Sequence, residues 1–187
     1  MMEIKWLLKC PDLVGSLTIC GNKRSSYSAG IITLEETPMS KYYEDLEPGQ
    51  HYRHAVTRTV TEVDNLMFTV LSHNDQPLHL DEEFGKKTMY GSRICNSLFT
   101  LAFVNGASVS DLTLGTTLGN LGYEEVRFPH PVRIGDTLRS ESKILFKRES
   151  KKYPDAGIVL FEHIGFNQHE EIVVTAKRTG LMMKRPK

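Results

Sequence analysis

Between Leu71 and Leu98 the chain reads LSHNDQPLHLDEEFGKKTMYGSRICNSL. His79 is the residue best suited to chemistry, because an imidazole titrates near neutrality and can give or take a proton. Asn74 cannot act as a base, but its amide can orient a water or a carbonyl by hydrogen bonding. Asp75 offers a carboxylate that a small loop shift would bring toward the same place; a solvated turn aspartate is the alternative. Arg93 can hold a phosphate or a carboxylate through two parallel bonds, or equally cap a neighbouring strand. Gly91 breaks the chain and permits a close approach of backbone to a ligand. Asp81 reads as a helix cap, with Glu82 and Glu83 as solvated surface. His73, Asp75, His79 and Asp81 match no structural zinc spacing, and Pro77 interrupts any helical register between them, so no metal is expected.

These groups need elements to hold them. Thr61 with Asp64 three residues on forms a capping box, and Val63, Met67, Val70 and Leu71 follow at helical spacing. That helix must end before Pro77, since the residue ahead of a proline avoids the α region. The apolar stretch from Ile94 to about Ser110 predicts a long helix. Its Leu98, Leu101, Ala102, Val104 and Ala107 spread over more than one side, which predicts burial on several faces. The free N–H groups at the start of this helix, with the positive end of its dipole, suit a developing negative charge. Asn105 is an unusual residue inside such a helix and needs a partner, in a site or in another subunit. A strand is predicted over His54 to Val60. Four more run through Tyr123–Phe128, Thr137–Lys147, Gly157–Phe166 and Ile172–Met183, with turn residues and no helix between them. The expectation is an α+β fold: an antiparallel sheet around one long helix.

The totals set outer bounds. The chain has 187 residues, 40% of them hydrophobic, and Lys plus Arg equals Asp plus Glu at 23 each. This balance calls for no nucleic acid and no anionic membrane. No apolar run reaches the roughly 20 residues of a membrane helix. Three cysteines without a CxxC pair fit a reducing compartment, here read as the cytoplasm. Residues 1–40 read as an extension of unclear role, and 41–187 as one domain.

The 71–98 stretch resembles the signature of MaoC-like, or (R)-specific, enoyl-CoA hydratases: roughly L-S-G-D-x-N-P-L-H-x-D, then T-x-(F/Y)-G-x-R-I-x-H-G-x-L. The similarity continues through Gly119, Tyr123, Phe128, Pro131-Val132 and Gly135-Asp136-Thr137, and covers about residues 42 to 184. It implies a hot-dog fold, a homodimer paired edge to edge with further assembly left open, an acyl-CoA substrate, and no cofactor besides the CoA of that substrate. The family's catalytic histidine falls on His79. Its aspartate falls on Asn74 and its following asparagine on Gln76. Its His-Gly falls on Asn96-Ser97, so the N–H that polarises the thioester would be that of Ser97. Together with Asp75, Gly91, Arg93 and Asn105 from the residue reading above, the expected site is His79, Asn74, Asp75 and Ser97 for catalysis, with Gln76, Gly91, Arg93, Asn96 and Asn105 around the substrate. The C-terminal stretch PDAGIVLFEHIGFNQHEEIVVTAKRTGLMMKRP is similar in texture to the mesaconyl-CoA, β-methylmalyl-CoA and itaconyl-CoA hydratase branch. A hydro-lyase is the expected activity. The aspartate-to-asparagine departure keeps two alternatives open, a non-catalytic acyl-CoA-binding or partner subunit and an acyl-CoA thioesterase.

Overall fold

The computed structural model describes residues 40–187. The extension expected over residues 1–40 therefore lies, but for Ser40, outside the described residues. The chain runs through a 3-10 turn Tyr43–Asp45, strands β1 (His51–Arg53) and β2 (Arg58–Thr59), and helices α1 (Glu62–Leu71), α2 (Pro77–Leu80), α3 (Glu82–Lys86) and α4 (Ser97–Ala107). A π-helical turn Val109–Thr113 leads to β3 (Thr117–Arg127), β4 (Thr137–Glu149), β5 (Ala156–Phe166) and β6 (Ile172–Met183). All pairings are antiparallel, in the order β1-β4-β5-β6-β3, with β2 also on β4. Strands β4, β5 and β6 begin and end within two residues of their expected bounds, whereas β3 starts at Thr117, well before the expected Tyr123.

Helix α4 packs across β4, β5 and β6. Gly165 makes the close approach possible: a Cβ there would collide with Val104 of α4 and Val174 of β6. Ser140 fastens the contact by donating its hydroxyl to the Val104 carbonyl (2.9 Å). Thr100, Val104 and Ala107 face the sheet, whereas Leu98, Ala102 and Gly106 are exposed. The sheet covers one face, Phe68 of α1 packs on Phe99 beside it, and one stripe through Leu98, Ala102 and Gly106 stays exposed among the described residues. The helix begins at Ser97 and not at Ile94, because the Asn96 side chain accepts from the Leu98 N–H (3.0 Å) and caps it.

Two further expectations are corrected. The single strand over His54–Val60 is two short ones. Residues 54–57 oppose only Arg139 and Ser140 of β4, so the chain bulges and turns His54 inward. Helix α1 has the expected capping box, with Thr61 and Asp64 bonding each other's backbone. Its apolar stripe, however, points outward: Val63 is 65% and Leu71 74% exposed, while Asn65 and Thr69 are buried. Strand β3, bonded among the described residues only to β6, is also mostly exposed, with Leu118 and Leu121 half open. No helix among the described residues is long and apolar enough to cross a membrane.

The core has two apolar clusters. One gathers Leu46, Leu112, Ile144 and Phe161; the other Cys95, Val104, Leu138 and Val174. A buried polar row crosses the sheet between them. Arg178 Nε donates to His163 Nε2 (3.0 Å), which puts the His163 proton on Nδ1, where it is given to Ser142 Oγ (2.7 Å). Ser142 then donates to His54 Nε2 (2.7 Å), and the His54 Nδ1–H goes to Asp111 (2.9 Å). Burial, helped by the Arg178 and His54 charges, pushes the His163 pKa down to about 3. An unfolded chain takes up that proton near pH 6.5, and the folded one does not. Stability is therefore expected to fall as pH drops below 6.5, at up to about 1.4 kcal/mol per pH unit from this group. Urea midpoints between pH 6.5 and 4.5 check it, and His163→Gln should flatten the slope.

Candidate active site

The site is assembled from three short segments. Pro77 opens α2 at a position where its missing N–H costs nothing. The resulting single turn buries His79, whose Nδ1–H donates to the Ile94 carbonyl (3.0 Å). That bond places a proton on Nδ1 and leaves Nε2 without a partner among the described residues. The Ile94 N–H returns a bond to the Leu78 carbonyl (3.3 Å), so the α2 turn and the strand leading to α4 are laced together. Cys95 N–H donates to Val132 O (2.7 Å), which brings in the segment Phe128–Val132.

Asn65 is the central fastener. Its amide donates to the His79 carbonyl (2.8 Å), and its Oδ1 accepts from the Asn96 N–H (2.9 Å). One fully buried side chain on α1 thereby holds both the histidine turn and the α4 cap. The sequence reading missed it, although an asparagine inside a short helix, where it is a poor helix former, is a usable signal.

His79 and Ser97 line one cavity of about 480 Å³, together with apolar Leu78, Ile94, Phe128 and Val173. The Ser97 N–H has no acceptor among the described residues, as the first residue of α4 should not. Cys95 also lines the cavity, but burial pushes its thiol up to about 12, so it is no thiolate nucleophile at neutral pH. His130, also missed from sequence, borders the same cavity between Pro129 and Pro131. Among the described residues no group of three or more His, Cys, Asp or Glu side chains could hold a metal.

The remaining expected residues are elsewhere. Asn74 lies outside the cavity lining, and its Oδ1 accepts from the Gln76 N–H (3.2 Å) in a local turn. Asp75 and Gln76 are exposed and do not line the cavity. Arg93 is held by Glu62 through two bonds (2.7 and 2.9 Å) and by Glu82 (3.2 Å), so its fork is already filled by carboxylates. Asn96 is the α4 cap, buried behind Ser97. Asn105 sits roughly two turns along α4, outside the lining, and its Oδ1 is buried without a partner among the described residues.

Gly91 also lies outside the lining, and its φ of +68° accounts for it. It closes an exposed turn, with nothing within 4 Å of where a Cβ would stand. Gly91→Ala is thus expected to cost about 1 kcal/mol in urea unfolding, from the left-handed backbone alone. The same variant should leave turnover unchanged, and Gly91→Asn should cost less.

Known proteins share this sequence and fold. The β-methylmalyl-CoA dehydratase of Chloroflexus aurantiacus is 32% identical over 150 residues, 80% of this chain and 42% of its own length. The mesaconyl-CoA hydratase of Cereibacter sphaeroides is 31% identical over 150 residues, 80% of this chain and 43% of its own. This chain therefore spans about two-fifths of the length of either. A Mycobacterium tuberculosis protein described as a double hotdog fold superposes with a TM-score of 0.72 over 79% of this chain and 46% of its own, at 18% identity, which speaks for the fold alone. The family model for the MaoC like domain matches residues 44–164, a span that holds the histidine turn, the α4 cap and the segment closing the cavity. On that match, over more than half of its length, the chain belongs to the MaoC like domain family.

Proposed function

We propose that this chain is a hydro-lyase that reversibly adds water across the double bond of an α,β-unsaturated acyl-CoA thioester. The observation that carries the reading is a single cavity bordered by His79, with a free Nε2, and by Ser97, with an unpartnered N–H. Water attack at C3 needs a base, for which the Nε2 lone pair is suited. Charge then collects on the thioester oxygen, and a helix-terminal N–H stabilises such an oxyanion by about 3 kcal/mol. Apolar walls exclude water and suit the acyl group. The names of the two dehydratase and hydratase relatives support a short or branched acyl chain of the mesaconyl-CoA or β-methylmalyl-CoA type. The α1 stripe and the edge of β3, both uncovered among the described residues, support a homodimer, which light scattering would test. A buried free thiol at Cys95 suits a reducing, cytoplasmic setting.

The test is loss of the conjugated enoyl-thioester absorbance with crotonyl-CoA and mesaconyl-CoA offered separately. The faster substrate assigns the acyl class, and no loss with either, in folded protein, sinks the reading. One observation favours a second reading: no carboxylate among the described residues lines the cavity. A non-catalytic acyl-CoA-binding subunit would bind thioester by calorimetry without consuming it. The same lack weighs against a thioesterase, which would release free CoA from a saturated acyl-CoA.

A further inference from the structure

Hydration asks for two proton transfers of opposite sense, one from the attacking water and one to C2. His79 can serve one of them. The position where the resemblance implies a carboxylate is Asn74, which cannot titrate and whose side chain is bonded to its own turn. The titratable side chains that do line the cavity are His79, Tyr90, Cys95 and His130. Cys95 is held as a thiol by burial, and Tyr90 is a phenol, a weak proton donor at neutral pH.

His130 differs from both. Its Nδ1 meets the Ile172 carbonyl at 3.0 Å, as the Nδ1 of His79 meets that of Ile94 at 3.0 Å. A carbonyl only accepts, so each ring carries a proton on Nδ1 and leaves Nε2 unpartnered among the described residues. Prolines 129 and 131 on either side limit the backbone freedom of this segment. On its outer side the imidazole borders a hollow of about 280 Å³, where Arg133, Asp136, His169 and Glu171 are the other titratable or charged groups. His130 is exposed, so protons exchange between it and solvent.

We propose that His130 is a second catalytic residue, the imidazolium that delivers the C2 proton. This rests on the hydro-lyase reading above. The water oxygen bonds to C3 while its proton passes to His79 Nε2. The π pair moves toward the thioester oxygen, which the Ser97 N–H holds. The pair then returns to form a C2–H bond with the Nε2 proton of His130. His79 releases its gained proton to solvent, and His130 regains its lost one, which restores the site.

The scheme needs His79 neutral and His130 charged, so kcat/KM should fall at low pH through His79 and at high pH through His130. His130→Asn, whose amide stands near the Nδ1 position, keeps an N–H for the Ile172 carbonyl but cannot titrate. It is expected to lower kcat at least tenfold, with KM within about threefold and the high-pH limb abolished. His130→Ala should behave alike and regain rate with added imidazole. A kcat loss below tenfold, a loss confined to KM, or a retained high-pH limb overturns the proposal. Wild-type turnover separates the two readings: if the wild type hydrates and the His130 variants match it, this inference alone falls. If the wild type hydrates no enoyl-CoA, both fall.

Discussion

His79→Ala is expected to slow hydration by two to four orders of magnitude while the protein stays folded. The range is that of a positioned proton-transfer group removed from a transition state. The variant leaves the Ser97 N–H and the apolar walls in place, because α4 is capped by Asn96 and not by His79. Thioester binding should therefore persist, and the loss should appear in kcat more than in KM. One structural cost accompanies it. The Ile94 carbonyl loses its donor at a half-open site, and a drop of about 1 kcal/mol in stability follows. Stopped assays with crotonyl-CoA, together with calorimetric thioester binding, measure both quantities. Retention of a tenth or more of the wild-type rate would remove His79 from the chemistry.

Asn65→Ala should have the largest effect on stability and also lower the rate, although Asn65 does not line the cavity. Its side chain fills one donor and one acceptor need of the main chain, the His79 carbonyl and the Asn96 N–H. Both partners lie at buried residues, and each unpaired buried group costs about 1 to 3 kcal/mol. The expected loss is thus about 2 to 6 kcal/mol, a large part of the stability of a domain this size. The kinetic effect follows from position. Without this clip the α2 turn and the first turn of α4 are no longer held to one helix, and a displacement of about 1 Å at a site is enough to cost up to 100-fold. Urea unfolding and steady-state rates, taken together, test it. A variant that loses stability but keeps full kcat would show that the packing of Phe68 on Phe99, 5.8 Å between ring centres, holds α1 on α4 well enough alone.

Much of the architecture is legible in the chain because it is locally encoded. The capping box at Thr61 and Asp64, the Asp81 cap on Phe84, and the four strands parted by Pro, Gly and Asn turns all depend on residues a few positions apart. Backbone groups at such ends need partners nearby, so residue type predicts geometry. The pairing of His79 with a helix start falls in the same class, since only eighteen residues separate it from Ser97. Where the reading left alternatives open, the deciding partner lay far along the chain. Arg93 could hold a phosphate or a carboxylate or cap a strand, and the carboxylate it holds, Glu62, is thirty-one residues earlier. Periodicity marked Val63, Met67, Val70 and Leu71 as the apolar stripe of α1, yet Asn65 and Thr69 face inward, because Asn65 bonds the backbone of His79 and Asn96 and Thr69 Oγ1 accepts from the Asn96 side chain.

By itself, then, the sequence determined the elements, their caps and turns, the family, and the histidine at the head of the central helix. These rest on short-range hydrogen bonding and on a long contiguous motif. Only the tertiary structure decided which polar groups meet. It removed Asn74, Gly91 and Arg93 from the cavity lining and made Asn65 the clip. It threaded Asp111, His54, Ser142, His163 and Arg178 into one buried row, and it brought His130 to the cavity of His79. The physical reason is the same in each case. A buried polar atom takes whichever partner the packing delivers, and that partner is set by strand register and helix placement, which no local spacing encodes.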